Sequence, residues 1–284
     1  MLASLILSFS AQAGSAAAPA PLDDPVSAAL ALGDAAYARR ADGATGARAE
    51  TRQIEEAIGA YRRAAHLDPD SAEAVFKLLR ALFFRASFCG AGAEERRAIF
   101  EEGRQIGEGA IQRLERRIGG LTFGARMDAL RKNPAAAPLY FWTAVSWGEW
   151  ALARGKLTAA RHGAGSRIRD LAQTVVDLDP GLEEGGGYRV LGRLHDQSPR
   201  IPFLTGWVSR PEALSNLRKA LALGPRSSVN QLFLAEAILN HDAANREEAR
   251  RLLTWCARSA PRDEYRVEDA YYEDLARRRL EELR

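Results

Sequence analysis

A chain of 284 residues, 46% hydrophobic and 27% charged, has the composition of a folded protein with one large core or two small ones, and disorder as its main state is excluded. Its 40 basic and 37 acidic residues nearly cancel, leaving a net charge of +3; nucleic-acid binding would need basic residues concentrated on one face, so no nucleic-acid partner is expected. Two cysteines, Cys89 and Cys256, and four scattered histidines exclude a Cys-rich metal knuckle and a disulfide framework, so neither a metal nor a cofactor is expected.

The chain begins with a short apolar run, Leu2 to Phe9, followed by Ala11-Gln12-Ala13 in an A-x-A arrangement. This pattern predicts either a secretory signal cleaved before Gly14, hence an exported protein, or a disordered Ala/Pro-rich N-terminus over residues 1–20 on a cytoplasmic one, and no Lys or Arg precedes the apolar run. The run is too short to span a bilayer, which takes roughly 20 residues, and no later uncharged stretch is long enough. No transmembrane segment is expected. Pro19 to Pro25 reads as a linker into a single domain over residues 22–284.

From Asp24 onward the apolar residues recur at helical spacing. Asp68-Pro69, Asp179-Pro180, Gly224-Pro225 and Ala260-Pro261 each mark a helix end, because proline pushes the residue before it out of the α region. Counting back twelve, eight and five residues from these prolines gives Ala57/Tyr61/Ala64, Ile168/Ala172/Val175, Ala213/Leu217/Ala220 and Ala249/Leu253/Cys256. Intervals of four and three put each triplet on one helix face, with small residues admitting a partner helix and a larger one filling the groove. This is the second-helix pattern of a tetratricopeptide repeat. Leu32-Gly33, Trp147-Gly148, Leu191-Gly192 and Leu234-Ala235 supply the first-helix element. The intervals from there to each triplet exceed the standard one, which predicts an all-α solenoid of degenerate tetratricopeptide-like hairpins with enlarged loops inside the hairpins. Between Ser71 and Arg131 the frame lapses, although helices at about 72–88 and 93–118 still form a hairpin around Gly90-Ala91-Gly92. Arg262 to Arg284 forms a last charged helix that caps the stack, and the total comes to ten to twelve helices.

One segment, Pro138 to Leu152, gathers Tyr140, Phe141, Trp142, Trp147 and Trp150 on more than one helix face. A helix apolar all round is central; this one is either a packing helix or the aromatic wall of an apolar ligand cavity. The glycines of Gly185-Gly186-Gly187 lack the context of a phosphate loop and open a helix for close packing. Arg189 and Arg193, on that helix, are candidate carboxylate donors, since a guanidinium grips a carboxylate in two-pronged fashion. In the loop Ser198 to Pro211, Phe203 and Trp207 are either tucked against the stack or exposed as a partner contact. Glu183-Glu184 and Asp263-Glu264 sit where carboxylates complement a helix dipole. No Ser sits in a G-x-S-x-G turn and no metal-ligand spacing occurs, so the chain reads as non-enzymatic.

Two segments together carry a family resemblance. One is Leu139-Tyr-Phe-Trp-x₄-Trp-Gly-x-Trp-Ala; the other runs Gly185-Gly-Gly-Tyr-Arg-Val-Leu-Gly-Arg-Leu-His-x₃-Pro199, then Pro202, then Pro211-Glu-Ala-Leu-x₃-Arg-Lys-Ala-Leu-x-Leu-x-Pro225. With the degenerate repeats and the export-like N-terminus, they resemble the T-component (TatT) family associated with TRAP transporters, most strongly over residues 135–262. The resemblance implies a periplasmic helical protein that works beside a TRAP substrate-binding protein. It also implies a trimer with a cavity or pore through each protomer, handling apolar or carboxylate ligands. The sequence lacks a lipobox cysteine at the cleavage point. The alternative is a generic tetratricopeptide adaptor whose open groove binds a protein segment, without a small-molecule ligand.

Overall fold

The computed structural model describes residues 24–200 and 205–284. The N-terminal reading of residues 1–20 and the candidate Phe203 lie outside them. The described residues form thirteen α-helices: α1 (Pro25–Ala38), α2 (Arg52–Leu67), α3 (Ala72–Phe88), α4 (Ala93–Ile118), α5 (Phe123–Arg131), α6 (Ala136–Arg154), α7 (Lys156–Arg161), α8 (Ala164–Leu178), α9 (Leu182–Gln197), α10 (Arg210–Leu223), α11 (Ser228–His241), α12 (Arg246–Arg258) and α13 (Arg266–Glu282). The short α5 and α7 exceed the expected number. Pro134 follows α5 two residues past its C-cap, whereas α7 has no such signal.

Four helix starts follow side-chain capping chemistry. Asp24 accepts hydrogen bonds from the Val26 and Ser27 amides ahead of Pro25 at the first turn of α1, and Ser71, Thr122 and Ser209 cap α3, α5 and α10 in the same way. The stops fall where the prolines require. Asp68 and Asp179 leave the α region for extended backbone at the ends of α2 and α8.

Successive helices pack as hairpins: α1 on α2, α3 on α4, α9 on α10 and α11 on α12, with α6 on α8 across the inserted α7. All four proline-framed triplets are buried, none of their residues more than 5% exposed. Gly33 lies against the Tyr61 ring and Gly192 against Leu217, each so close that a Cβ would stand under 3 Å from the partner. Gly148 breaks the pattern, because a Cβ there would meet nothing within 4 Å. The close approach to α6 comes instead from α4, where Gly103 and Gly107 lie against Ser146 and Thr143.

Helices α3, α6, α9 and α11 follow one another in contact, and α13 then touches both α11 and α3. The first members of the last four hairpins thus form a ring closed by α13, which is its final segment rather than an end cap. The closure is partly apolar. Val267 is fully buried in the cluster of Leu78, Leu82, Phe84 and Phe88, and the Tyr271 ring meets Phe88 edge-on at 5.5 Å. The outer face of α13, with Arg277, Arg278, Glu281 and Glu282, remains exposed as expected.

Candidate functional site

The ring surrounds a half-open chamber of about 260 Å³, lined from α1, α3, α6, α9, α11 and the start of α13. One wall is aromatic: Phe83 packs on Trp142 at 5.5 Å between ring centres, with Tyr37, Phe84, Phe88 and Tyr272 around them. The rest is charged. Arg262 spans the α12–α13 connection, donating to both oxygens of Asp269 at 2.8 and 3.0 Å and to Glu184 at 2.7 Å. Arg40 donates to one oxygen of Glu268 at 2.9 Å and to the backbone carbonyl of Glu264. These pairs tie the end of α1 and the start of α9 to the α13 segment beside the chamber.

Two other guanidinium groups lining the chamber have no carboxylate within ion-pair distance among the described residues. Arg189 donates to the Glu183 carbonyl at 3.0 Å and to Asn230 at 2.9 Å, and burial pushes its pKa below the usual arginine range. Arg80 lies over the Tyr37 ring at 4.1 Å, and its Nε is buried with no hydrogen-bond partner. Two more buried atoms of the lining lack partners, Glu268 Oε2 and Ser227 Oγ. Ser227 is 1% exposed and stands at the N-cap of α11 without capping it. Burial pushes the Glu268 carboxyl above the ordinary carboxylate range despite the pull of Arg40.

The approach to Arg189 is strained. Glu183 and Glu184 both hold left-handed backbone, at φ 50° and 57°, followed by Gly185 at 81°. A non-glycine residue there costs about 1–2 kcal/mol. The three glycines relieve what they can. A Cβ on Gly185 would strike the Ala220 backbone, one on Gly186 the Phe141 ring, and one on Gly187 the Val176 side chain. The glycine run therefore serves close packing, and the adjoining glutamates face the chamber instead of simply complementing a helix dipole.

The aromatic segment on α6 divides. All five residues are buried, but only Trp142 lines the chamber, with Phe141 behind it at 5.1 Å and Arg189 5.9 Å from the Phe141 ring. Tyr140, Trp147 and Trp150 turn toward α4, where they donate to Glu115, Glu108 and Glu101. Each of these carboxylates also pairs with arginine: Arg126 on Glu115, Arg167 on Glu108, and Arg104 with Arg154 on Glu101. A single aromatic wall made of all five residues is thus replaced by a ladder and a two-ring backing. The seven-residue spacing of the glutamates was the available signal for the ladder.

Arg193 does not line the chamber. It is held by Asp196 at 2.9 Å and Glu236 at 2.7 Å, over the Phe233 ring. Trp207 is half-buried against the stack, edge-on to His195 at 5.3 Å, beneath Arg169 and beside Gly165. Both cysteines are buried thiols, with pKa values pushed by burial to about 11 at Cys89 and about 12 at Cys256. Arg40, Arg80 and Arg262 carry no signal in the sequence, since only ring closure brings them together.

The fold and site define an all-α protein of helical hairpins closed into a ring around a charged and aromatic chamber. No protein-family model and no curated protein matches the sequence. No helix among the described residues is long and apolar enough to cross a membrane.

Proposed function

We propose that the protein is a non-enzymatic binding component that holds a small apolar carboxylate in the chamber. The observation that carries this reading is the pair Arg80 and Arg189, two arginines of the lining without a carboxylate partner, set beside the Trp142–Phe83 wall. A guanidinium in an enclosed site is matched by a carboxylate, and the aromatic rings take the apolar remainder. The motif resemblance to the TatT family extends the reading to an exported, periplasmic, tetratricopeptide-like accessory of a TRAP uptake system. Its partner would be the substrate-binding protein, with a trimer as the assembly.

The adaptor alternative requires a continuous open groove for a protein segment. Helix α13 crosses from α11 to α3 and occupies the place such a groove would need, which favours the small ligand.

The test is a titration followed by tryptophan fluorescence, with 3-phenylpropanoate as probe. A saturable change that disappears in Trp142→Phe, while that variant still binds by calorimetry, is the expected result; no saturable response overturns the reading. For the TRAP association, TRAP permease and binding-protein genes are expected next to this one, and co-purification with that binding protein is the direct check. An isolated gene whose product captures no such protein would remove the association and leave the chamber.

A further inference from the structure

The chamber's unmet hydrogen-bonding groups are of opposite kinds. Arg80 Nε is a buried donor without an acceptor, whereas Glu268 Oε2 is a buried acceptor without a donor. Ser227 Oγ can serve as either. The two charged groups are linked through the Tyr37 ring, whose centre lies 4.1 Å from Arg80 and 4.6 Å from Arg40, and Arg40 holds the other oxygen of Glu268. A simple carboxylate would satisfy the arginines but bring negative charge toward Glu268. A simple amine would satisfy Glu268 and leave the two guanidinium groups without a carboxylate.

We propose that the ligand is a zwitterion of the apolar amino-acid class, its carboxylate held by Arg80 and Arg189, its ammonium by Glu268 with Ser227, and its side chain by Phe83 and Trp142. This rests on the reading of the chamber as a ligand site and narrows its chemistry. A carboxylate bound by one charged oxygen and left bare at the other is poorly solvated, and an ammonium beside it restores both the hydrogen bond and the charge balance. The valences left open by the protein are then closed by a single molecule.

Calorimetric titration separates the possibilities with two matched pairs, L-phenylalanine against 3-phenylpropanoate and L-leucine against 4-methylpentanoate. In at least one pair the amino acid is expected to bind ten-fold or more tightly than its deaminated partner. Glu268→Gln, which keeps an oxygen for Arg40, is expected to cost the amino acid at least ten-fold and to leave the simple acid unchanged or tighter. Should Glu268→Gln fail to fold by circular dichroism, Ser227→Ala is the second variant, with a loss of at least three-fold confined to the amino acid. Acids that bind as tightly as their amino acids overturn this inference and leave the carboxylate reading standing. Absence of binding by all four compounds overturns both.

Discussion

Gly192 and Gly148 occupy comparable positions in the sequence pattern, yet their surroundings differ. A Cβ on Gly192 would stand 2.6 Å from Leu217, inside a fully buried contact between α9 and α10. Gly192→Ala is therefore expected to destabilise the protein by about 1–3 kcal/mol through overpacking. Gly148→Ala adds its methyl to open space and should stabilise by roughly 0.5–1 kcal/mol through helix propensity. Urea denaturation of the two variants checks both signs. At Glu183 the expectation reverses common intuition about glycine. Relief of left-handed strain, about 1–2 kcal/mol, outweighs the added chain entropy of roughly 0.5–1 kcal/mol, so Glu183→Gly should gain up to about 1 kcal/mol. A clear loss of stability would mean that the Glu183 carboxylate holds the fold. At this scale the small residues of the repeat were legible in the sequence, because their spacing is set by one helix face. The left-handed glutamates were not, since tertiary packing imposes them against local preference.

Among the elements, α4 and α6 are joined by more than apolar packing. Three glutamates one heptad apart accept hydrogen bonds from Trp150, Trp147 and Tyr140, so a helix apolar on most sides gains directional partners on one of them. Burial resists the charge on Glu101, but hydrogen bonds from Arg104, Trp150 and Gln105 outweigh it and bring the carboxyl down to about 2. A folded value below the unfolded one means that the contribution of Glu101 is complete above the ordinary carboxylate range, near pH 4.3. It fades as pH falls toward about 2. Glu101→Gln should accordingly lose less stability than the parent chain between about pH 5 and pH 2.5, as read from denaturation curves across that range; parallel pH profiles would contradict the ladder. The limits of α2, α8, α10 and α12 were legible from their prolines, and those of α3 and α4 from the glycine turn between them. The aromatic residues of α6 were legible as a group, but their division between ladder and chamber depends on which helix each face meets.

For the whole molecule, the decisive feature is the return of α13 to α3. Composition and repeat spacing are the same for an open superhelix and a closed ring, so the sequence could not distinguish them, and the chamber inherits that blindness. Its residues come from six segments that only closure assembles. Arg262 ties two of the participating carboxylates together, and removing it leaves Asp269, 5% exposed, and Glu184 without their cation. Arg262→Ala should cost about 3–5 kcal/mol, the usual penalty for breaking a buried pair on one side; a loss under about 1 kcal/mol, the scale of a surface pair, would mean that α13 contributes little to closure.

Calorimetric titration of 3-phenylpropanoate into the parent chain and into Arg189→Gln asks whether the ring presents Arg189 to a small carboxylate inside it. The prediction is one saturable site per chain, with affinity reduced at least ten-fold in a variant that keeps its helical circular dichroism. Equal binding by the two proteins, or none by the parent chain, would contradict it.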